Sequence, residues 1–151
     1  MSQTDQPYRG FHPYKMDAKY RVSIPPAWRP EKEGIPMFLL YSSDHELPVV
    51  KVLSQEAYSE RVARVKDSDK TPKEKDKILG RLAMLSREVT LNEQGKILAG
   101  KDLSEKCGMV AEGDVVLAGR GSFFELWCKE NFDMVLKIES GEGDDDPLGV
   151  F

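Results

Sequence analysis

The sequence contains few of the residues on which most enzymes and secreted proteins depend. It has only two cysteines and two histidines in 151 residues. Cys107 and Cys128 form neither a disulfide framework nor a Cys-x-x-Cys pair, and we expect two reduced, buried thiols. His12 and His45 stand at no spacing typical of a metal site. Because a glycine-rich phosphate loop and a nucleophile elbow are also missing, the sequence argues against an enzyme.

Long apolar runs are missing as well. No run approaches the roughly 20 residues that a transmembrane helix needs. Residues 1–7 are polar, so we expect neither a signal peptide nor order there. Charged residues make up 32% of the chain and apolar residues 40%, which is typical of a soluble globular protein, and the length of 151 residues suits one domain or two small ones.

The net charge of −4 is distributed unevenly along the chain. The segment from Tyr8 to Pro30 is basic, since Asp17 alone opposes its cations: Arg9, Lys15, Lys19, Arg21 and Arg29. Residues 88–137 are acidic, and residues 139–151 contain acids without a base. An acidic total therefore does not exclude a polyanionic partner, because a local patch of cations is sufficient.

The range 17–26 combines a charged turn with a short strand. Apolar and polar residues alternate over 21–24, which predicts a half-buried strand, and the two prolines that follow end it. A short helical turn is predicted at 27–29. Lys19 and Arg21 beside a rigid strand end suit binding to an anion; the alternative is a solvated turn in which Asp17 pairs with Arg21.

The remainder of the first half predicts more strands and a helix. The predicted elements are a strand at 9–14, a strand at 37–41, a loop at 42–47, a strand at 49–52 and a helix at 54–66. Pro13 suits an edge strand, because proline lacks the N–H that an inner strand donates. Ser54 is a suitable N-cap for the helix.

A connecting helix follows with a strong local signature. Thr71 can cap it, Pro72 fits its first position and Glu74 completes a capping box. We expect the helix to end near Ser86. Its lysines are predicted to be solvated, and one apolar face is predicted to be buried: Ile78, Leu79, Leu82 and Leu85.

The second half repeats the order of elements in the first. Its predicted elements are strands at 88–91 and 97–98, a charged turn at 92–96, a short helix at 101–107, strands at 114–118 and 123–127, and a helix at 129–138 with Phe132, Val135 and Leu136 facing inward. The range 17–22 aligns with 92–97. This predicts a tandem duplication of a unit of about 50 residues, whose copies pack together because each is too small to bury a core alone.

These motifs resemble the MraZ family over roughly residues 8–137. The resemblance is carried by Tyr8-Arg-Gly10, Asp17-Ala-Lys-Tyr-Arg-Val-Ser-Ile-Pro25, Leu91-Asn-Glu-Gln-Gly-Lys-Ile97, and Phe124-Glu-Leu-Trp127 followed by Lys129-Glu. It implies an α+β, β-rich fold in which two tandem AbrB-like (SpoVT-AbrB) swapped-hairpin units, a double-split β-barrel, pack as a pseudo-dimer with flanking helices. The implied divisions are unit 1 at 8–53, a helical connector at 54–87, unit 2 with its terminal helix at 88–138, and an acidic disordered tail at 139–151.

The resemblance also implies a function. Members of the family are cytoplasmic, nucleoid-associated regulators of transcription that act on the bacterial division and cell-wall gene cluster. The implied partners are double-stranded DNA, at repeated boxes upstream of the protein's own operon, and further copies of the chain in a ring, commonly an octamer. No cofactor, metal, membrane or small-molecule substrate is implied.

The signature of the family in each half is an aspartate, three residues and an arginine. Asp17 and Arg21 match it, but Tyr20 stands where glycine is usual. If that position needs a positive φ, a tyrosine is strained there, so we expect a different turn. In the second half, Asn92 and Lys96 replace the aspartate and the arginine. We therefore expect the first half to contact DNA more than the second.

The predicted DNA-facing residues are Arg9, Lys15, Asp17, Lys19, Arg21, Arg29 and Lys96, with Asp17 orienting Arg21. Two of them have alternative interpretations. Arg29 is equally consistent with a surface charge on a short helix, and Arg9 with a structural strand residue. An alternative function is a structural or protein-interaction ring without specific DNA binding.

Two further hypotheses concern single segments. Asp44-His45-Glu46 is compatible with an acid–base loop, but a solvated hairpin tip is the better interpretation. The acids between Glu142 and Asp146 suit either a decoy that covers the basic patch or a solubilising disordered end.

Overall fold

The computed structural model describes residues 7–141 and 146–151, which form an α+β fold rich in strands. In chain order the elements are β1 (Phe11–Lys15), β2 (Arg21–Ser23), a 3₁₀ turn (Pro26–Trp28), β3 (Met37–Asp44), β4 (Leu47–Leu53), α1 (Gln55–Lys66), α2 (Pro72–Met84), β5 (Ser86–Val89), β6 (Lys96–Leu98), α3 (Lys101–Lys106), β7 (Asp114–Gly119), β8 (Phe124–Cys128) and α4 (Lys129–Glu139). The β-rich α+β class is confirmed. The disorder predicted for residues 1–7 and the decoy predicted between Glu142 and Asp146 fall largely on residues 1–6 and 142–145, which lie outside the described residues.

The strand order relates the two halves of the chain by a pseudo-twofold axis. Six antiparallel strands form one sheet in the order β1-β7-β8-β4-β3-β5, and β2 pairs with β6 in a second sheet. Exchanging β1 with β5, β7 with β3 and β8 with β4 gives the same strand order read from the other edge of the large sheet. The first strand of each half therefore pairs with the other half. Pro13 lies on the edge strand β1, as its missing N–H predicts.

Two apolar clusters hold the layers together. The larger one joins the six-stranded sheet to β2 and β6, with Val22, Ile24 and Ile97 fully buried. The smaller one packs Phe132 and Val135 of α4 against the sheet. Burying each such side chain contributes about 1.5–3 kcal/mol. The third residue that was predicted to face inward on α4 does not do so, since Leu136 is 37% exposed.

The helical connector forms its predicted caps but not its predicted core face. Ser54 caps α1, and Thr71 with Glu74 forms the complete capping box of α2. The burial predicted for 78–85 is wrong, because α2 contains no buried residue and Ile78 is 42% exposed. The reason is that α2 packs mainly against α1 and against β5, the short strand at one edge of the sheet. Among the described residues, every helix is too short or too polar to span a bilayer.

The loop predicted at 42–47 is wrong, because the strands on both sides extend into it. Asp44 and Leu47 still pair, so only His45 and Glu46 form the turn, with φ angles of +51° and +63°. Two consecutive positive φ angles suit a tight hairpin because they match the twist of the strands. Because the usual Asn-Gly signal is missing, this two-residue turn could not be predicted from the sequence.

Candidate nucleic-acid interface

The first charged turn is fixed by the side chain of Asp17. Its Oδ1 accepts hydrogen bonds from the backbone N–H groups of Lys19 at 2.9 Å and Arg21 at 2.8 Å. The backbone N–H of Tyr20 donates to the carbonyl of Asp17 at 3.1 Å. Tyr20 adopts a φ of +60°, which costs a non-glycine residue about 1–2 kcal/mol. Its ring packs against the core, which offsets part of this cost.

The second turn has the same geometry with different residues. The amide oxygen of Asn92 accepts from the N–H groups of Gln94 and Lys96, both at 2.9 Å. Gly95 has a φ of +75° and donates its N–H to the carbonyl of Asn92 at 3.0 Å. The expectation that Tyr20 changes the turn of the first half is therefore wrong. An amide oxygen and a carboxylate oxygen support the same turn.

Backbone hydrogen bonds between the halves place the two turns side by side. The N–H of Ile24 donates to the carbonyl of Gly95 at 3.0 Å, and the N–H of Ala99 donates to the carbonyl of Tyr20 at 3.0 Å. These bonds are equivalent under the pseudo-twofold exchange. They continue the pairing of β2 with β6, which carries one turn of each half to the same edge.

Three charged side chains meet at that edge. Asp17 Oδ2 lies 2.9 Å from Arg21 Nε and 3.5 Å from Lys96 Nζ, so one carboxylate of the first half pairs with a cation from each half. Burial raises the pKa of Asp17, but the N–H groups of Arg21 and Lys19 and the Arg21 side chain outweigh it and lower the pKa to about 2. The carboxylate is therefore ionised at neutral pH. We name Asp17, Arg21 and Lys96 the shared-edge cluster.

Arg29 lies against the second turn. Its Nε donates to the carbonyl of Ile24 at 2.8 Å, and a Cβ added to Gly95 would lie 2.5 Å from its Cζ. The absence of a side chain at Gly95 thus makes room for the guanidinium. Arg29 braces the turn of the opposite half, which is a structural contact that neither sequence interpretation foresaw. Its role in DNA binding stays a prediction.

The other predicted residues are more exposed. Lys19 is exposed beside the cluster, whereas Lys15 lies at the end of β1, where its Nζ is 3.4 Å from Asp114. Arg9 is exposed and precedes the first residue of β1, so it lies at the other end of that strand from Lys15. An extended chain between these two residues spans roughly 20 Å. The structure therefore brings Asp17, Lys19, Arg21, Arg29 and Lys96 together, and it does not bring Arg9 to them.

Arg87 has a contact that the sequence analysis missed. Its Nη2 donates to the carbonyl of Ala99 at 2.8 Å. This carbonyl corresponds to that of Ile24, to which Arg29 donates. Both halves thus brace the residue after the short strand with an arginine, but the two arginines come from different places in the sequence.

A second charged cluster lies at the tip of the β3–β4 hairpin. Arg120 donates to Glu125 at 2.7 Å, to Glu139 at 2.6 Å and to Asp44 at 2.9 Å, and His45 Nε2 lies 2.9 Å from Glu139. The predicted solvated tip is therefore tied to the end of α4, 94 residues away in the chain.

Three members of this cluster have the composition of a metal site. Ligand atoms of Asp44, His45 and Glu139 lie within 4.8 Å of one another. The guanidinium of Arg120 donates to both carboxylates and supplies the positive charge that a metal ion would bring. We therefore interpret the group as an ion-pair network.

Comparison with known proteins gives a consistent set of relatives. No family model matches the chain. A protein named transcriptional regulator MraZ from Coxiella burnetii (strain RSA 493 / Nine Mile phase I) is 28% identical over 148 residues, which cover 93% of this chain and 94% of the relative. A protein of the same name from Hydrogenovibrio crunogenus is 27% identical over 128 residues, covering 83% of this chain and 82% of the relative.

Proposed function

We propose that this chain, which is similar over most of its length to proteins named transcriptional regulator MraZ, belongs to the MraZ family and is a sequence-specific DNA-binding regulator of transcription that acts in the cytoplasm at the nucleoid. The observation that carries the proposal is the shared-edge cluster. Arg21 and Lys96 come from different halves, yet the pairing of β2 with β6 places both beside one carboxylate. Lys19 adds a further cation at the exposed tip of the first turn.

Such an edge has the chemistry that DNA phosphates require. Each cation that contacts a phosphate releases counterions from the DNA. This release favours binding at low salt, so the affinity falls steeply as the salt concentration rises. Arg21 uses its Nε to bind Asp17, and its remaining N–H donors form the planar fork that fits a phosphate or a guanine edge. Lys96 carries its charge at a single point, so it attracts phosphates but contributes little to the recognition of particular bases.

Assembly is part of the proposed mechanism. A single edge with few cations binds weakly, whereas several edges on a repeated operator act together through effective concentration. We propose a ring of copies, commonly eight, on repeated boxes upstream of the protein's own operon in the division and cell-wall gene cluster. The exposed apolar residues of α2 support contact between copies, because Met84 is 75% exposed and Ile78 is 42% exposed.

The proposed assembly unit is one chain built from two swapped-hairpin units, 8–53 and 88–138, joined by the connector at 54–87. The pseudo-twofold strand order of the large sheet supports this division, since every strand of one half has a counterpart in the other. The matching hydrogen bonds of the two turns support it as well. The tail proposed for 139–151 lies outside the repeat in the sequence, and its first residue, Glu139, is also the last residue of α4.

The test is a gel shift with the DNA upstream of the protein's own gene and a scrambled DNA of equal length. We expect the wild type to retain the upstream DNA preferentially and Arg21→Ala to lose most of this retention. Lys129→Ala is the matched control, because it removes one exposed cation that pairs with Asp133 on its own helix. If Arg21→Ala retains the upstream DNA as well as Lys129→Ala does, the proposed interface is wrong. If the wild type binds neither DNA, a structural ring without DNA binding becomes the better account.

A further inference from the structure

The two turns show aspartate and asparagine in equivalent positions of the same protein. Asp17 and Asn92 each accept two backbone N–H groups through one side-chain oxygen, at 2.8–2.9 Å and at 2.9 Å. The turn therefore does not require a negative charge. What distinguishes Asp17 is its second oxygen, which contacts Arg21 Nε and lies near Lys96 Nζ.

The charge of Asp17 acts on two cations at once. It cancels one of the two positive charges that Arg21 and Lys96 would otherwise present, and it fixes the orientation of the Arg21 guanidinium. Lys96 reaches across to Asp17 because its own half offers the uncharged Asn92 in the equivalent position. The side chains of Arg21 and Lys96 remain 34% and 28% exposed, so both can still contact a ligand.

We propose that Asp17 determines the selectivity of the interface for its target DNA over other DNA. Attraction to arbitrary DNA depends on charge alone, so a carboxylate inside the cluster weakens it. Recognition depends on a donor held in one direction, and the bond to Asp17 holds Arg21 in this way. Asp17 thus lowers the affinity for DNA in general and raises the ratio of the affinity for target DNA to that for other DNA. This inference rests on the proposed function.

The expected effect of removing the charge follows from counterion release. Asp17→Asn leaves the turn intact, as Asn92 shows, and makes one further cation available to a phosphate. One additional phosphate contact steepens the salt dependence by about 0.9 and tightens binding to arbitrary DNA about 5- to 10-fold at 0.1 M salt. Affinity for the target rises less, because Arg21 is no longer oriented, so the ratio of the two affinities falls.

The reciprocal substitution makes the opposite prediction. Asn92→Asp adds a carboxylate beside Lys96 in a turn whose geometry an aspartate already supports in the first half. Binding to arbitrary DNA should weaken by a similar factor, and its salt dependence should become shallower. Because the two substitutions change the charge in opposite directions in equivalent turns, damage to folding cannot produce both results.

The experiment measures fluorescence anisotropy of labelled upstream and scrambled DNA with the full chain at several salt concentrations. It compares the wild type, Asp17→Asn, Asn92→Asp and the control Lys129→Ala, with thermal unfolding of each variant. We expect Asp17→Asn to bind scrambled DNA more tightly and to discriminate less, and Asn92→Asp to bind scrambled DNA more weakly.

The outcomes separate this inference from the proposed function. If the wild type discriminates between the DNAs and Asp17→Asn discriminates equally well, or weakens both equally, Asp17 does not determine selectivity, and the proposed function stands. If the wild type binds neither DNA, both fail. If Asp17→Asn unfolds, an unchanged affinity of Asn92→Asp for scrambled DNA overturns the inference.

Discussion

Replacing Arg120 with alanine should destabilise the fold more than any change to an exposed ion pair. The reason is Glu125, whose side chain is only 1% exposed and lies 2.7 Å from Arg120 Nε. Without the guanidinium, that carboxylate keeps one donor in the structure, the indole N–H of Trp127 at 3.0 Å. Removing one partner of a buried ion pair costs about 3–5 kcal/mol, because the other charge is left buried without compensation.

This loss is a large part of the total stability, since domains of this size are stable by about 5–15 kcal/mol. The bonds from Arg120 to Asp44 and Glu139 are more exposed and add at most about 1 kcal/mol each. In a urea titration the midpoint should fall by about 2 M with an unchanged slope. All variants are compared at one protein concentration, because assembly would also shift the midpoint.

Two variants test the reasoning. Lys129→Ala breaks an exposed pair, 52% and 55% accessible, and should lose no more than about 1 kcal/mol. Combining Arg120→Met with Glu125→Gln should recover much of the loss, because glutamine is uncharged and still accepts the Trp127 hydrogen bond. A loss below about 1 kcal/mol for Arg120→Ala would refute the view that Glu125 depends on this cation.

Two further predictions concern the turn and the acid stability. Gly95→Ala should destabilise the protein by about 1–3 kcal/mol, because Gly95 has a φ of +75° and an added Cβ would lie 2.5 Å from Arg29 Cζ. Gly80→Ala should instead stabilise it by up to about 1 kcal/mol, because Gly80 lies in open space on α2 and alanine favours a helix. Urea titration of both variants checks this contrast. The hydrogen bond from Arg120 lowers the pKa of Glu139 from 4.5 to about 2. Because the folded-state pKa is the lower one, this stabilisation is complete above about pH 5 and is lost as the pH falls towards 2, so Glu139→Gln should flatten the acid side of a plot of melting temperature against pH.

The sequence predicted the elements whose signals are local. The capping box from Thr71 to Glu74 and the edge position of Pro13 follow from single-residue chemistry, and both are found in the structure. The repeat was visible because turns, strands and helices recur in the same order. The side chains of Asp17 and Asn92, which that alignment pairs, accept equivalent backbone hydrogen bonds in the structure.

The failures come from contacts between distant parts of the chain. The apolar face of α2 has helical spacing, but spacing does not reveal how much of that face other elements cover, and here no residue of α2 is buried. Tyr20 has a positive φ, and its carbonyl accepts a hydrogen bond from the N–H of Ala99 in the other half. The charged cluster around Arg120 joins residues separated by up to 94 positions, which no local pattern encodes.

The salt dependence of binding to the upstream DNA tests the central claim most directly. A plot of the logarithm of the association constant against the logarithm of salt concentration gives the number of phosphate contacts. We predict that Arg21→Ala reduces the magnitude of the slope by about 0.9 for each copy of the edge that engages DNA, while Lys129→Ala leaves it unchanged. Equal slopes for the wild type, Arg21→Ala and Lys129→Ala would contradict the claim that the edge formed by Asp17, Arg21 and Lys96 faces DNA.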